Sequence, residues 1–198
     1  HKLVRLRNMS VKLDERASFI LPKKPATLLK NLLAKEEGMI SLKFDDNNAY
    51  VRCANFEMVC RLVEGRYPNY NVVIPKENPY QVIIDRLSFL AALKRVSVFS
   101  NQSSSLIKLQ LTPGQMTISA QDIDFSTSAE ERIPCSFEGD VINIGFKATY
   151  LIEILGNIGS QDVILQLADP SRAGLIFPSE NAENEDYLLL LMPMMLNE

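Results

Sequence analysis

Histidine is almost absent from this chain. The single residue, His1, stands at the first position, so no Ser-His-Asp or Cys-His arrangement for nucleophilic catalysis can be built from the body of the protein. Tryptophan is missing and cysteine is scarce. Cys53, Cys60 and Cys135 with one terminal histidine do not form the spaced ligand set of a zinc site, and no metal or other cofactor is expected. Cys53 and Cys60 flank a short turn between two expected strands, which leaves two readings, a disulfide or a pair of reduced thiols. Neither G-x-G-x-x-G nor G-x-x-x-x-G-K occurs, so there is no glycine-rich phosphate cradle. No apolar run reaches the ~20 residues of a membrane span, and no basic stretch followed by an apolar segment marks a signal peptide. A cytoplasmic protein without a membrane partner is expected. The net charge of -3 exerts no global pull on nucleic acid. Any anion-binding role must rest on where the charges sit.

The chain has 198 residues, 46% hydrophobic and 23% charged, enough for one large folded domain or two small ones. It runs from His1 straight into the strand-like Leu3-Val4-Arg5-Leu6-Arg7, the pattern expected of a fragment of a longer protein. The strongest signal is an internal repeat. Three stretches, about 18–63, 80–133 and 141–192, each read as a strand, a helix and three strands. The helices are expected near 24–35, 86–96 and 147–158. A basic residue opens each, Lys24, Arg86 and Lys147, at steps of 62 and 61 residues. An apolar pair follows at matching offsets, Leu28-Leu29, Leu90-Ala91 and Leu151-Ile152. A period this constant marks one structural unit used repeatedly.

Alternation makes the strands legible. Phe56, Met58, Cys60 and Leu62 form one face of a strand, and Ile107, Leu109 and Leu111 one face of another, the pattern of antiparallel sheet with one side buried. Asp45-Asp46-Asn47-Asn48, Thr112-Pro113-Gly114 and Asp169-Pro170-Ser171 are hairpin turns. Tyr150, Leu151, Ile154, Leu155 and Ile158 form an apolar helical stripe. The expected class is α+β, with repeated βαβββ units forming antiparallel sheets covered by helices on one side. Units two and three, residues 77–198, would complete one domain. Residues 1–76 would be the back half of another, with Pro68, Pro75 and Pro79 at the link.

The helices are basic although the chain is acidic. They carry Lys23, Lys24, Lys30, Lys35, Arg86, Lys94, Arg95 and Lys147 against one acid, Glu153. A cation at a helix N-terminus opposes the macrodipole. Three helices sharing that arrangement point to a shared anionic neighbour, and duplex DNA fits, held through phosphates without base readout. Ordinary solvated lysines are the other reading. The second feature is the tail. Leu188–Leu191 reads as the last strand, and Pro193 cannot continue a central strand. Met192, Met194 and Met195 then make either an adaptable apolar surface for peptides or a plug for the protein's own core.

The repeat, the tail Met192-Pro193-Met194, and the segments Gly65-Arg66-Tyr67-Pro68-Asn69-Tyr70 and Phe146-Lys147-Ala148-Thr149-Tyr150-Leu151 resemble the bacterial DNA polymerase III beta subunit family, the beta sliding clamps, over essentially the whole chain. The resemblance implies the DNA clamp fold and a homodimeric, head-to-tail ring around duplex DNA, with helices lining the hole. It implies a processivity factor, not an enzyme, that tethers the replicative polymerase and raises its effective concentration at the template. The polymerase, the clamp loader and other partners would insert a short peptide into an apolar cleft. By motif the cleft comprises Leu3, Pro68, Val73, Tyr150 and the tail Leu190, Leu191, Met192, Pro193, Met194, Met195 and Leu196. His1, Lys2, Val72 and Lys147 stand at its rim. Val72 and Met195 fall where the family commonly has Arg, which makes the rim less cationic, and Asn197-Glu198 extend the usual ending. Lys23, Lys24, Lys30, Arg86, Lys94, Arg95 and Lys147 would face DNA. Val98 and Phe99 would meet the other subunit. Two rival readings are an enzyme with a cysteine nucleophile and a peptide-binding scaffold independent of DNA.

Overall fold

The computed structural model describes residues 1–12 and 14–196, so the expected extension at Asn197-Glu198 lies outside the described residues. The chain divides into two compact units, Lys12–Asn69 and a larger one that joins His1–Val11 to Tyr70–Glu198. The first strand, β1 (Lys2–Asn8), falls in the larger unit. Backbone pairing is the cause. Leu3 lies opposite Leu190, and the ladder runs on to Asn8 opposite Glu185.

The smaller unit holds helix α1 (Lys23–Leu33) and a meander of β2 (Ser41–Phe44), β3 (Asn48–Arg52) and β4 (Glu57–Arg61). Leu29 of the helix and Ala49, Val51 and Leu62 are buried. At the β2–β3 turn the Asp45 carboxylate accepts hydrogen bonds from the Asn47 and Asn48 amides at 2.8 and 2.7 Å. Those bonds pull its pKa below the ordinary carboxylate value. The strand expected before α1 does not form. Ile20 O accepts one hydrogen bond from Val63 N–H, no ladder follows, and Pro22 has no N–H to offer one.

The larger unit contains two complete βαβββ repeats. The first is β5 (Tyr80–Asp85), α2 (Arg86–Ser97), β6 (Leu106–Thr112), β7 (Gln115–Asp122) and β8 (Thr127–Pro134). The second is β9 (Ile142–Lys147), α3 (Ala148–Gly156), β10 (Asp162–Leu167), β11 (Gly174–Pro178) and β12 (Glu185–Leu191). The repeats exchange their opening strands. The four-stranded sheet runs β8-β7-β6-β9, and the five-stranded sheet runs β1-β12-β11-β10-β5. Each meander is thus completed by the first strand of the other repeat. Phe89, Leu93, Leu151 and Leu155 of the paired helices α2 and α3 are fully buried against Ile107, Leu109, Ile118, Ile144, Val163 and Leu165 from both sheets.

Strand β12 is apolar without alternation because it is covered on both faces. Leu189 and Leu191 enter the main core, whereas Leu188 and Leu190 join Ala173 and Leu175 in a second cluster. Leu3, Ile74, Phe177 and Met192 pack on that second cluster. Helix α3 opens at Ala148, one residue later than expected, because Lys147 is still extended as the last residue of β9.

Helix α2 is capped by Asp85, whose side chain accepts the Ser88 amide at 2.7 Å. Hydrogen bonding from Ser88 holds the Asp85 carboxyl below its ordinary value. Replacing Asp85 with Ala should cost about 1 kcal/mol. A carboxyl whose native value is depressed stabilises the fold above its unfolded value and loses that contribution as pH falls through the native one. The gap in melting temperature between the wild type and Asp85→Ala should therefore be full at neutral pH and close in acid.

Candidate functional site

Antiparallel register assembles an apolar strip. Leu190 lies opposite Leu3 on one side and opposite Leu175 on the other, so all three side chains share the sheet face away from the helices. Beside the strip is a groove of about 610 Å³, lined by Val72, Val73, Ile74, Pro75, Lys76, Glu77, Arg172, Ala173 and Met192. Val72 and Val73 are 76% and 52% exposed. They sit on a single 3-10 turn, Tyr70–Val73, which presents them without burying them. Of the expected cleft residues, Leu3, Val72, Val73, Leu190 and Met192 meet here. Ile74, Ala173, Leu175 and Arg172 were not foreseen, since nothing in their spacing distinguishes a groove wall from core.

Alternation along β1 sends Lys2 to the opposite face. It stands opposite Leu191 and reaches Tyr150 on α3. Lys2 Nζ lies 4.9 Å from the Tyr150 ring centroid and Lys147 Nζ lies 5.6 Å from the same centroid. Lys2 also forms an ion pair with Glu153, one turn along α3. These are cation–π distances.

The tail connects the two faces. Met192 N–H donates to His1 O at 3.0 Å, which extends the β1–β12 ladder by one residue. Beyond Pro193 the chain crosses to the free edge of β9, where Met194 N–H donates to Gly145 O at 2.8 Å. Met192, Pro193, Met194 and Leu196 are half-buried, and Met195 is 80% exposed. Gly145 permits this crossing. A Cβ there would lie 2.7 Å from Met194 O and 2.8 Å from Leu196 Cδ2. The signal was present in the sequence as a lone glycine between Ile144 and Phe146 inside a strand. Pro68 belongs to the smaller unit.

The basic residues part company. Lys23, Lys24, Lys30, Lys94 and Arg95 are exposed, and Lys23 and Lys24 flank a shallow surface with Thr27, Leu28 and Asn31. Arg86 is half-buried. Its Nε donates to Ser160 O at 2.7 Å and its Nη1 to Leu155 O at 3.2 Å. Those carbonyls lie in and just beyond the last turn of α3, where a cation is favoured. The charge that looked unfavourable at the start of α2 is thus satisfied at the end of α3. Arg95 grips Glu131 through two hydrogen bonds, which raise the arginine pKa and lower that of the glutamate.

Val98 and Phe99 are 77% and 40% exposed at the end of α2. Asn101 donates to Asp124 Oδ2 at 3.3 Å, tying their loop to the β7–β8 hairpin, where Ile123 and Phe125 are also exposed. All three cysteines are free thiols. Burial pushes the Cys53 and Cys135 thiols up, the opposite of what a thiolate nucleophile needs. Among the described residues no cluster of His, Cys, Asp and Glu fits a metal ion. No helix of the described residues is long and apolar enough to cross a membrane.

Comparison with known proteins covers both units. Residues 71–195 match the family described as DNA polymerase III beta subunit, C-terminal domain, and residues 1–69 match its central domain. The chain belongs to the DNA polymerase III beta subunit family. It is 33% identical over 183 residues to the beta sliding clamp of Pseudomonas putida, covering 92% of this chain and 49% of that protein. It is also similar to the crystal structure of the Pseudomonas aeruginosa sliding clamp bound to griselimycin. There the TM-score is 0.90 and the identity 27%, over 99% of this chain and 52% of that one. A Bartonella birtlesii sliding clamp gives 0.85 at 30% identity, over 92% of this chain and 52% of that one. The chain spans about half the length of the curated relatives it matches. The α+β class read from the repeat and the clamp fold implied by the resemblance are borne out.

In this clamp chain the tail crossing is the feature most open to a direct check. Gly145→Val should drive Met194 and Leu196 off β9 at a cost of about 1–3 kcal/mol. Carboxypeptidase digestion should then remove the tail several-fold faster than from the wild type, while β12 stays protected.

Proposed function

We propose that this chain is part of a sliding clamp that encircles duplex DNA, holds it without sequence specificity and tethers the replicative polymerase through a peptide cleft. Residues 1–76 would be the back half of the middle domain and 77–198 the whole third domain. The observation that carries the cleft is the half-open apolar groove between the Tyr70–Val73 turn, Ala173 and Met192, continuous with the Leu3–Leu190–Leu175 strip. A core plug would bury such a surface, whereas Val72 and Val73 are left in solvent. A relative solved with griselimycin bound supports a ligand-accepting surface in the family. The clamp loader and other proteins carrying the same short peptide would use the same cleft, with Tyr150, Lys147, Lys2 and His1 at its rim. The role needs no catalytic residue and no cofactor.

The ring contact is proposed at Val98 and Phe99. Its support is that β8 ends the four-stranded sheet as β12 ends its own meander, where β1 pairs with it. An uncovered edge beside exposed apolar side chains favours strand addition. A DNA-independent peptide scaffold remains the second reading. It is favoured by the internal use of Arg86 and Arg95, which withdraws two cations from any phosphate surface. Lys23, Lys24, Lys30, Lys94 and Lys147 then carry the DNA contact.

Two tests separate these readings. In the full-length clamp, replacing Lys23, Lys24, Lys30 and Lys94 with Glu should shorten retention on circular DNA without lowering the melting temperature. The difference should shrink as salt rises. Arg86→Ala should behave differently, losing about 1–3 kcal/mol of stability because charged hydrogen bonds to part-buried carbonyls are broken. Equal loss of retention at every salt concentration would give these lysines a structural role instead, and no retention by the wild type would favour the scaffold.

The cleft is tested by titrating a labelled polymerase-derived peptide. Truncation after Leu191 should keep the fold and weaken binding by roughly tenfold or more, as central apolar anchors do. Tyr150→Ala should act in the same direction and non-additively with it. Unchanged affinity with a collapsed melting temperature would make the tail a core plug.

A further inference from the structure

Glu153 is the one acid on the three helices, and it pairs with Lys2 beside Tyr150, which the peptide-cleft reading takes as part of its rim although both stand on the side of β1 opposite the groove. Three elements converge on the Tyr150 ring: Lys2 from β1, Lys147 from the end of β9, and Glu153 one turn along α3. Lys2 and Lys147 both stand within cation–π range of the ring. Only Lys2 is neutralised, by the Glu153 carboxylate, and no ion pair of Lys147 is found among the described residues. The Lys2 and Glu153 side chains are 29% and 60% exposed, so this pair can open without unfolding anything.

We propose that Glu153 is a built-in competitor that sets the charge selectivity of the cleft. Resting on the peptide-cleft reading, the inference is that Glu153 occupies on Lys2 the place a carboxylate of an incoming acidic peptide would take. A peptide acid reaching the Tyr150 rim exchanges one exposed ion pair for another. Its gain is therefore small, and Lys147 supplies only a weaker, longer-range attraction. Acidic and neutral peptides with the same apolar anchors bind nearly alike. The carboxylate also fixes Lys2 over the ring, so Glu153 acts partly as a positioning residue for Lys2.

The test uses two fluorescent heptapeptides with identical Leu and Phe anchors, differing only in Asp or Asn beside the Phe. Anisotropy titrations on the wild type should give affinities within about twofold of each other. Glu153→Gln should strengthen binding of the Asp peptide by about threefold, the size of one exposed ion pair, and leave the Asn peptide unchanged. The gain should fade at high salt and vanish when Lys2→Ala is added, because both effects run through one ammonium group. Melting curves should superimpose. A change shared equally by the two peptides, no change in their ratio, or a gain that survives Lys2→Ala overturns the role of Glu153 while leaving the cleft in place. Failure of either peptide to bind the wild type overturns the cleft reading itself.

Discussion

The double burial of β12 is the constraint on which the site depends. A strand reading Leu188-Leu189-Leu190-Leu191 cannot lie at a wet face, so each side needs a cover. The main core, with α3 packed on β12, covers Leu189 and Leu191. On the other side, Ala173 and Leu175 with Leu3, Ile74 and Met192 cover Leu188 and Leu190. That second cover is thin and made of segments distant in sequence. It therefore ends in a groove rather than a closed core. Burying one leucine is worth ~1.5–3 kcal/mol, which ties β1, the Tyr70–Val73 turn and the tail to one place.

Charge follows a similar logic. The helices are basic on paper, yet each cation meets a different fate. Arg86 binds carbonyls at the end of α3, Arg95 binds a glutamate on β8, and Lys2 and Lys147 share a tyrosine ring. What remains in solvent is the lysine set on α1 and Lys94.

Much of the fold was readable before any coordinates. The helix period at Lys24, Arg86 and Lys147 and the alternation in Ile107–Leu111 reflect local rules, and local rules survive folding. The exchange of β5 and β9 between repeats was not readable, because strand partnership is set by tertiary packing. The same holds for the missing strand before α1, where the apolar run Phe19-Ile20-Leu21 suits a strand but Pro22 and the lack of a ladder decide. In the site, Met192 and Tyr150 were legible through motif. Ala173 and Ile74 were not, since a groove wall and a core residue have the same composition. Arg86 misled because the macrodipole argument considered its own helix and not the neighbour's C-terminus.

The central claim is that the groove beside Met192 accepts an apolar peptide. Amide and methyl chemical-shift mapping of this chain with a short peptide carrying Leu and Phe anchors tests it most directly. The account predicts saturable shifts centred on Leu3, Val73, Ala173, Met192 and Tyr150, with none at Ile123 or Phe125. Shifts confined to the Ile123–Phe125 hairpin, or none on saturation with peptide, would contradict it.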